Sequence, residues 1–362
     1  MKIQQVPLSY RGNYIQGYRC GQGSDVILLI HGAGVDSAML SWKEVMERLG
    51  KKTTVYAFDL PGYGNSDPME SIPEEGFYPY YHHTLEAVVD QLKLDRFVLV
   101  GLSMGGAIAI RYALEHPEHV CGLVPVSSWG LSQKAPYHSM TCWIVHHTDW
   151  IRRSCLKMAK SPALIRAMVQ YSLFGRKNTV TEELVEELSQ LLQKPSAMDS
   201  IDFYQKSSVS PQGAIPYFGD ELSRLKMPVL LINGKRDPLV PRSHAEQATR
   251  IIPNSRLHVM PSCKHWCCKE QPELFCQALW TFVKRDCLFS YKNMLPYSPE
   301  ETKMSPSFQK AEENLLHQNL KKRWEKRRRQ NTRQRLTETA ASGTKQRKQP
   351  IPIKARNKKR TA

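Results

Sequence analysis

The sequence predicts an α/β fold: a mostly parallel sheet, split by a helical insertion and followed by a basic C-terminal extension. Three observations lead there. Short β-branched runs alternate with helical patterns through glycine-bearing joints as far as Trp129-Gly130. Strand signals then stop and resume only at Pro228-Val229-Leu230-Leu231-Ile232. Residues 301–362 carry 19 Lys and Arg against 5 Asp and Glu, so they hold +14 of the chain's formal +17.

The elements follow in order. Residues 24–30 read as a buried strand, because Val26 to Ile30 is short, apolar and bounded by Gly23 and Gly32. Residues 36–49 read as a helix opening on Asp36-Ser37, with Leu40, Trp42, Val45, Met46 and Leu49 as its apolar positions. Residues 53–58 form the next strand, ended by the turn chemistry of Pro61-Gly62-Tyr63-Gly64. A helix over 83–94, a strand at 96–100, a helix over 104–116 stopped before Pro117, and a strand near 120–126 continue the alternation. Strands joined by helices pair in parallel and are covered on both faces. Residues 131–222 read as mostly helical. The strand at 228–232 is followed by a helix over 243–251, a strand at 256–260 and a last helix over 272–285. The expected division is a core over 1–130 and 223–290, a helical cap or lid over 131–222, and a basic, partly helical or disordered tail over 291–362.

Composition limits the function classes. The chain has 362 residues, 41% hydrophobic and 23% charged, enough for a sizeable core. A small disulfide scaffold, a collagen-like repeat and a wholly disordered chain are excluded. Val26–Ile30, the longest apolar run near the N-terminus, falls far short of the ~20 residues needed to span a bilayer. Met1-Lys2-Ile3-Gln4-Gln5 lacks an apolar signal region. Nine cysteines, an odd number without framework spacing, predict free thiols in a reducing, cytoplasmic setting. Cys263, Cys267 and Cys268 surround His265 but match no zinc-ligand spacing. They read as small buried hydrophobes, and no metal is expected. The tail, with Lys321-Lys322-Arg323-Trp324-Glu325-Lys326-Arg327-Arg328-Arg329 and the basic group Lys354 to Arg360, is a candidate contact for nucleic acid or an anionic membrane surface. The second case would make the protein peripheral to a membrane.

Gly101-Leu102-Ser103-Met104-Gly105-Gly106 carries the chemistry. It is G-x-S-x-G placed between a predicted strand and a predicted helix, where a sharp turn pushes the serine hydroxyl out of the sheet. A serine needs a base in reach, and the base needs an orienting carboxylate. Both are expected on loops after later strands, in the order Ser, Asp, His. The strand at 228–232 leads into Arg236-Asp237-Pro238, and that at 256–260 into Cys263-Lys264-His265-Trp266. The strand ending near Val126 leads into Ser127-Ser128-Trp129 and offers no carboxylate. Ser103, Asp237 and His265 are therefore the predicted catalytic set. The predicted oxyanion donors are the backbone N–H of Met104, at a helix N-terminus, and of Ala33 in His31-Gly32-Ala33-Gly34. His31 reads as structural. His82, His83, His146 and His147 read as packing or solvent-exposed residues. Trp143, Trp150, Met168, Tyr171 and Phe174 either face an apolar substrate or form the insertion's own core.

These motifs, with Asp59-Leu60-Pro61-Gly62-Tyr63-Gly64-Asn65-Ser66-Asp67, resemble the α/β-hydrolase superfamily over roughly residues 10–286. The resemblance implies an eight-stranded, mostly parallel sheet with a helical cap, and a two-step acyl-enzyme hydrolysis that needs no cofactor. Ser103 argues against relatives that use aspartate as nucleophile. Leu102 and Lys264 depart from the family pattern, and the cation at 264 sits where it would disfavour an imidazolium on His265. The expected function is serine hydrolysis, esterase- or lipase-like, of a carboxylic ester or related carbonyl compound with a small, apolar substrate. Carbon–carbon bond hydrolysis on the same fold, or a non-catalytic binder docked by its basic tail, are the alternatives.

Overall fold

The computed structural model describes residues 1–287. The strands are β1 (Gln4–Tyr10), β2 (Asn13–Cys20), β3 (Val26–Ile30), β4 (Thr54–Phe58), β5 (Phe97–Leu102), β6 (Val120–Val126), a two-residue pair β7 (Val209–Ser210) and β8 (Gly213–Ala214), β9 (Val229–Gly234) and β10 (Ser255–Met260). Eight form one sheet in the order β1-β2-β4-β3-β5-β6-β9-β10. The pairs β1/β2 and β2/β4 are antiparallel and the others parallel.

Side chains alternate across the sheet with the two-residue period of a strand. Ile27 and Leu29 enter the core on one face, with Trp42 and Met46 of α1 (Ala38–Leu49). Leu28 and Ile30 enter the core on the other, with Leu85 and Val88 of α2 (Phe77–Leu92) and Ile108 of α3 (Met104–Glu115). The expected mostly parallel, doubly covered sheet is present. The β1–β2 hairpin was not anticipated. Arg11 and Gly12 turn it with both φ positive, at 48° and 77°, as a two-residue hairpin turn requires. Helix α2 begins six residues before the predicted start, since Phe77, Tyr80, Tyr81, Thr84, Leu85, Val88 and Val89 keep a helical burial period. Pro79 is tolerated there because it lies in the first turn.

Between β6 and β9 the chain forms the helical cap: α4 (His138–His147), α5 (Trp150–Met158), α6 (Pro162–Met168), a π turn at Val169–Leu173, α7 (Glu182–Leu192) and α8 (Pro195–Ser208). The core then closes with α9 (Arg242–Ile251), α10 (Cys267–Glu270) and α11 (Pro272–Phe282). The last helix passes into a π turn over Val283–Cys287. The basic tail expected over 291–362 lies outside the described residues. Among the described residues, no helix is long and apolar enough to cross a membrane.

Cap residues 170–176 are fastened to the loop after β10. Glu270, buried, accepts from the amides of Gly175 at 2.8 Å and Arg176 at 2.7 Å. Trp266 N donates to Leu173 O at 3.0 Å, and Arg236 donates to Gly175 O at 2.8 Å. Glu270→Ala is expected to cost about 1–3 kcal/mol through the two amides it leaves unpaired. Urea unfolding should register that loss, and amide exchange at 170–176 should accelerate. Unchanged exchange there would contradict the fastening.

Candidate active site

Ser103 stands at the carboxyl end of β5, directly before α3, with φ 52° and ψ −113°. A side-chain-bearing residue adopts such a φ only when its surroundings over-determine it, at a cost of about 1–3 kcal/mol. The surroundings are visible. Ser103 N donates to Val126 O at 2.8 Å, and Trp129 N and Gly106 N both donate to Ser103 O at 3.0 Å. The helix crosses so close to its own strand that a Cβ on Gly101 would collide with the backbone of Gly105, and one on Gly105 with the carbonyl of His31.

Asp237 and His265 meet as the spacing predicts. Asp237 Oδ1 accepts from the amides of Leu239 and Val240, each at 2.9 Å. Its Oδ2 lies 2.8 Å from His265 Nδ1, and the carboxylate is fully buried. One oxygen caps the turn and the other receives the imidazole. With Nδ1 donating to a carboxylate, Nε2 is left as the ring's acceptor. Ser103 and His265 both line one cleft of about 910 Å³ under the cap. Lys264 is turned away: its Nζ donates to Gln170 O at 2.6 Å and Tyr171 O at 2.7 Å. Cap carbonyls therefore take up the cation.

The predicted oxyanion loop is held by a group that sequence reasoning missed. Asp36 was read only as a helix opening. Its Oδ2 accepts from Gly32 N at 2.7 Å, its Oδ1 from Ser37 N at 2.7 Å, and Ser41 Oγ donates to both oxygens at 2.7 and 2.9 Å. Trp266 Nε1 donates to Ser41 Oγ at 2.7 Å. A continuous chain of hydrogen bonds thus runs from the residue after His265 to the residue before Ala33. A buried acid four residues past His31-Gly32 was the available signal. Met104 opens α3, where first-turn amides have no partner inside the helix. His31 is structural: Leu60 N donates to its Nε2 at 3.0 Å, so Nδ1 carries the proton toward Gly32 O at 2.7 Å.

The cleft wall is mostly apolar, with Leu102, Trp129, Ile151, Met158, Leu188 and Ile201, and among the described residues no lysine or arginine lines it. Of the two alternatives, Met168 and Tyr171 line the cleft, whereas Phe174 is core against Trp266, at 6.2 Å between ring centroids. Trp143 and Trp150 do neither: they are exposed at 58% and 63%, on the outward side of cap helices. Cys263, Cys267 and Cys268 are buried. Burial pushes the Cys263 thiol up to about 12 and the other two well above the ordinary thiol range.

A sheet that presents a serine on such a turn, in one cleft with a carboxylate-held imidazole, is the architecture of a serine-hydrolase-type enzyme. The chain belongs to the alpha/beta hydrolase family, whose profile matches residues 27–278. It is similar to the 2-hydroxy-6-oxononadienedioate/2-hydroxy-6-oxononatrienedioate hydrolase of Escherichia coli strain SE11, with 28% identity over 276 residues, 74% of this chain and 89% of that protein. Its fold is similar to that of a meta-cleavage product hydrolase from Pseudomonas fluorescens IP01, with TM-score 0.64, 23% identity, and 77% and 97% of the two chains covered. It is similar also to a thermophilic esterase from Thermogutta terrifontis, with TM-score 0.61, 24% identity, and 78% and 98% covered.

Two groups of the oxyanion loop titrate in opposite senses. Burial lowers His31 to about 4, against its bond to Gly32. Burial raises Asp36 to about 7, against the pull of its donors Ser41, Ser37 and Gly32. Between about pH 4 and 6.5 the unfolded chain protonates His31 and the folded chain does not, so this group makes stability rise with pH. Asp36 keeps its proton in the folded chain where the unfolded chain has lost it, so it makes stability fall with pH. Asp36→Asn removes the second slope. Stability of the variant should then climb with pH more steeply than wild type, by about 1.4 kcal/mol per pH unit. Urea unfolding at several pH values between about 4.5 and 6 measures this, and parallel slopes would refute it.

Proposed function

We propose that the chain hydrolyses the carbon–carbon bond beside a ketone in a small, largely apolar substrate, with Ser103 as nucleophile. His265 Nε2 takes the serine proton as Oγ attacks the carbonyl carbon. Asp237 holds the imidazole and stabilises the imidazolium. The amides of Ala33 and Met104 receive the developing oxyanion. Collapse of that intermediate breaks the carbon–carbon bond. The imidazolium protonates the departing carbon, whose electron pair an adjoining conjugated carbonyl must delocalise. Water, deprotonated by His265, then attacks the acyl-enzyme, and the proton passes back to Ser103 Oγ as the acid leaves.

The observation that carries the hydrolytic part is the shared cleft of Ser103 and the Asp237-bound His265. Carbon–carbon cleavage is supported by the similarity to a protein named as a 2-hydroxy-6-oxononadienedioate/2-hydroxy-6-oxononatrienedioate hydrolase. Ester hydrolysis is the second reading, and one observation favours it. The cleft wall has no lysine or arginine among its described residues, so a dianionic dienedioate would bury two carboxylates without a cation, and a monoanion only one. The proposed ketone substrate accordingly carries an aryl or alkyl group where that second carboxylate would be.

A 6-phenyl oxo-dienoate, followed by loss of its absorbance, is expected to turn over with a higher kcat/KM than any member of a p-nitrophenyl ester series of rising acyl length. Turnover of esters alone would transfer the assignment to the second reading. Ser103→Ala and Asp237→Asn should each lower kcat by about 10⁴ or more without changing the fold. A fluorophosphonate probe should label wild type and not Ser103→Ala. Folded wild type that neither labels nor turns over any of these substrates would overturn the hydrolytic assignment.

A further inference from the structure

We infer that the far end of α3 is a binding site for a divalent transition metal of the zinc class, built by His82, Glu86 and His116, with Glu115 beside His82. His82 and Glu86 stand four residues apart on α2, so they share one helix face. Glu115 ends α3 and His116 caps it. His82, Glu86 and His116 therefore converge from two helices, and Glu115 reaches His82. His116 Nε2 lies 2.7 Å from Glu86 Oε1, and His82 Nε2 lies 2.6 Å from Glu115 Oε2 and 3.6 Å from Glu86 Oε1. The ligand atoms of His82, Glu86 and His116 all fall within 4.8 Å of one another.

A tetrahedral ion with bonds of about 2.0–2.1 Å sets its ligand atoms about 3.3 Å apart. The 2.7 Å contact between His116 Nε2 and Glu86 Oε1 needs to open by less than 1 Å to admit an ion held by His82, Glu86 and His116, with water as the fourth ligand. Two imidazoles and a carboxylate are a donor set that zinc-class ions take in preference to magnesium or calcium, which favour oxygen alone.

The surroundings suit ligation. The His82 and His116 rings are stacked, 6.0 Å between centroids and 19° between planes, so both Nε2 atoms reach the same carboxylate. Glu118 Oε1 lies 3.8 Å from His116 Nδ1, on the side where a metal-bound imidazole carries its proton. His82 Nδ1 is buried without a hydrogen-bond partner, so all the polar bonding of that side chain goes through Nε2. Arg111 pairs with the other oxygen of Glu115, 3.4 Å away, so Glu115 keeps a partner when the metal takes His82 Nε2. Twelve helical residues separate the site from Ser103, about 18 Å at 1.5 Å per residue. The site is thus apart from the catalytic cleft, and its effect is to clamp α2 to the C-terminal end of α3.

The test uses the full chain, stripped with chelator. Zn²⁺ at about one hundred times its Kd should raise Tm by about 5–10 °C, and Mg²⁺ should not. Co²⁺ should give the strong visible bands of a four-coordinate ion without a thiolate charge-transfer band, since none of the ligands is a cysteine. His116→Gln and Glu86→Gln, both partly exposed, should each fold and lose the Tm shift and the Co²⁺ bands. Absence of a shift with Zn²⁺, a shift that survives both substitutions, or a thiolate band would each overturn the assignment.

Discussion

The turn that carries Ser103 from β5 into α3 is the constraint on which the rest depends. The backbone conformation there is unfavourable for any residue with a side chain, and it persists because neighbouring elements leave no alternative. Its amide and carbonyl are engaged by residues of β6, of the loop beyond it and of α3. The crossing is so tight that Gly101 and Gly105 admit no Cβ. Parallel pairing of β3, β5 and β6 brings their carboxyl ends to one edge, and the loops that leave that edge form the cleft floor. A relaxed turn would withdraw the hydroxyl and also separate α3 from the strand it packs on.

A second layer of polar bonding fixes the parts that must be placed relative to that serine. Asp237 divides its two oxygens between its own turn and the imidazole. Asp36 links the oxyanion loop, the start of α1 and, through Ser41, the indole of Trp266. Buried carboxylates are costly unless every lone pair is engaged. Here each is met by two or more donors, so the cost is repaid in rigidity where backbone amides must point at one spot.

What was legible in the sequence followed from locality. Ser103, Asp237 and His265 each sit in a short turn whose residues declare its geometry, and the turns of Ser103 and Asp237 follow strands with a clear apolar run. The β1–β2 hairpin was less legible because β1 is largely exposed and carries little apolar patterning, and its turn, Arg11-Gly12, is no common hairpin pair. The early start of α2 was hidden by Pro79 and four aromatic residues, which resist the helix by propensity and accept it through burial. Trp143 and Trp150 misled for the opposite reason: large apolar side chains imply burial only on average. The His82–Glu86–His116 group was out of reach, because its members meet through the packing of two helices and no local spacing announces it.

The bonds from Lys264, Trp266 and Glu270 to the carbonyls and amides of 170–176 give the roof of the pocket and the loop bearing the base a common hinge point. Traffic into the cleft that lifts this stretch of roof has to pull on the base as well. The residues on either side of His265 are thereby tied to the same stretch of backbone that covers the cleft. Such coupling would spare the strained serine from idle encounters with water during each entry and exit.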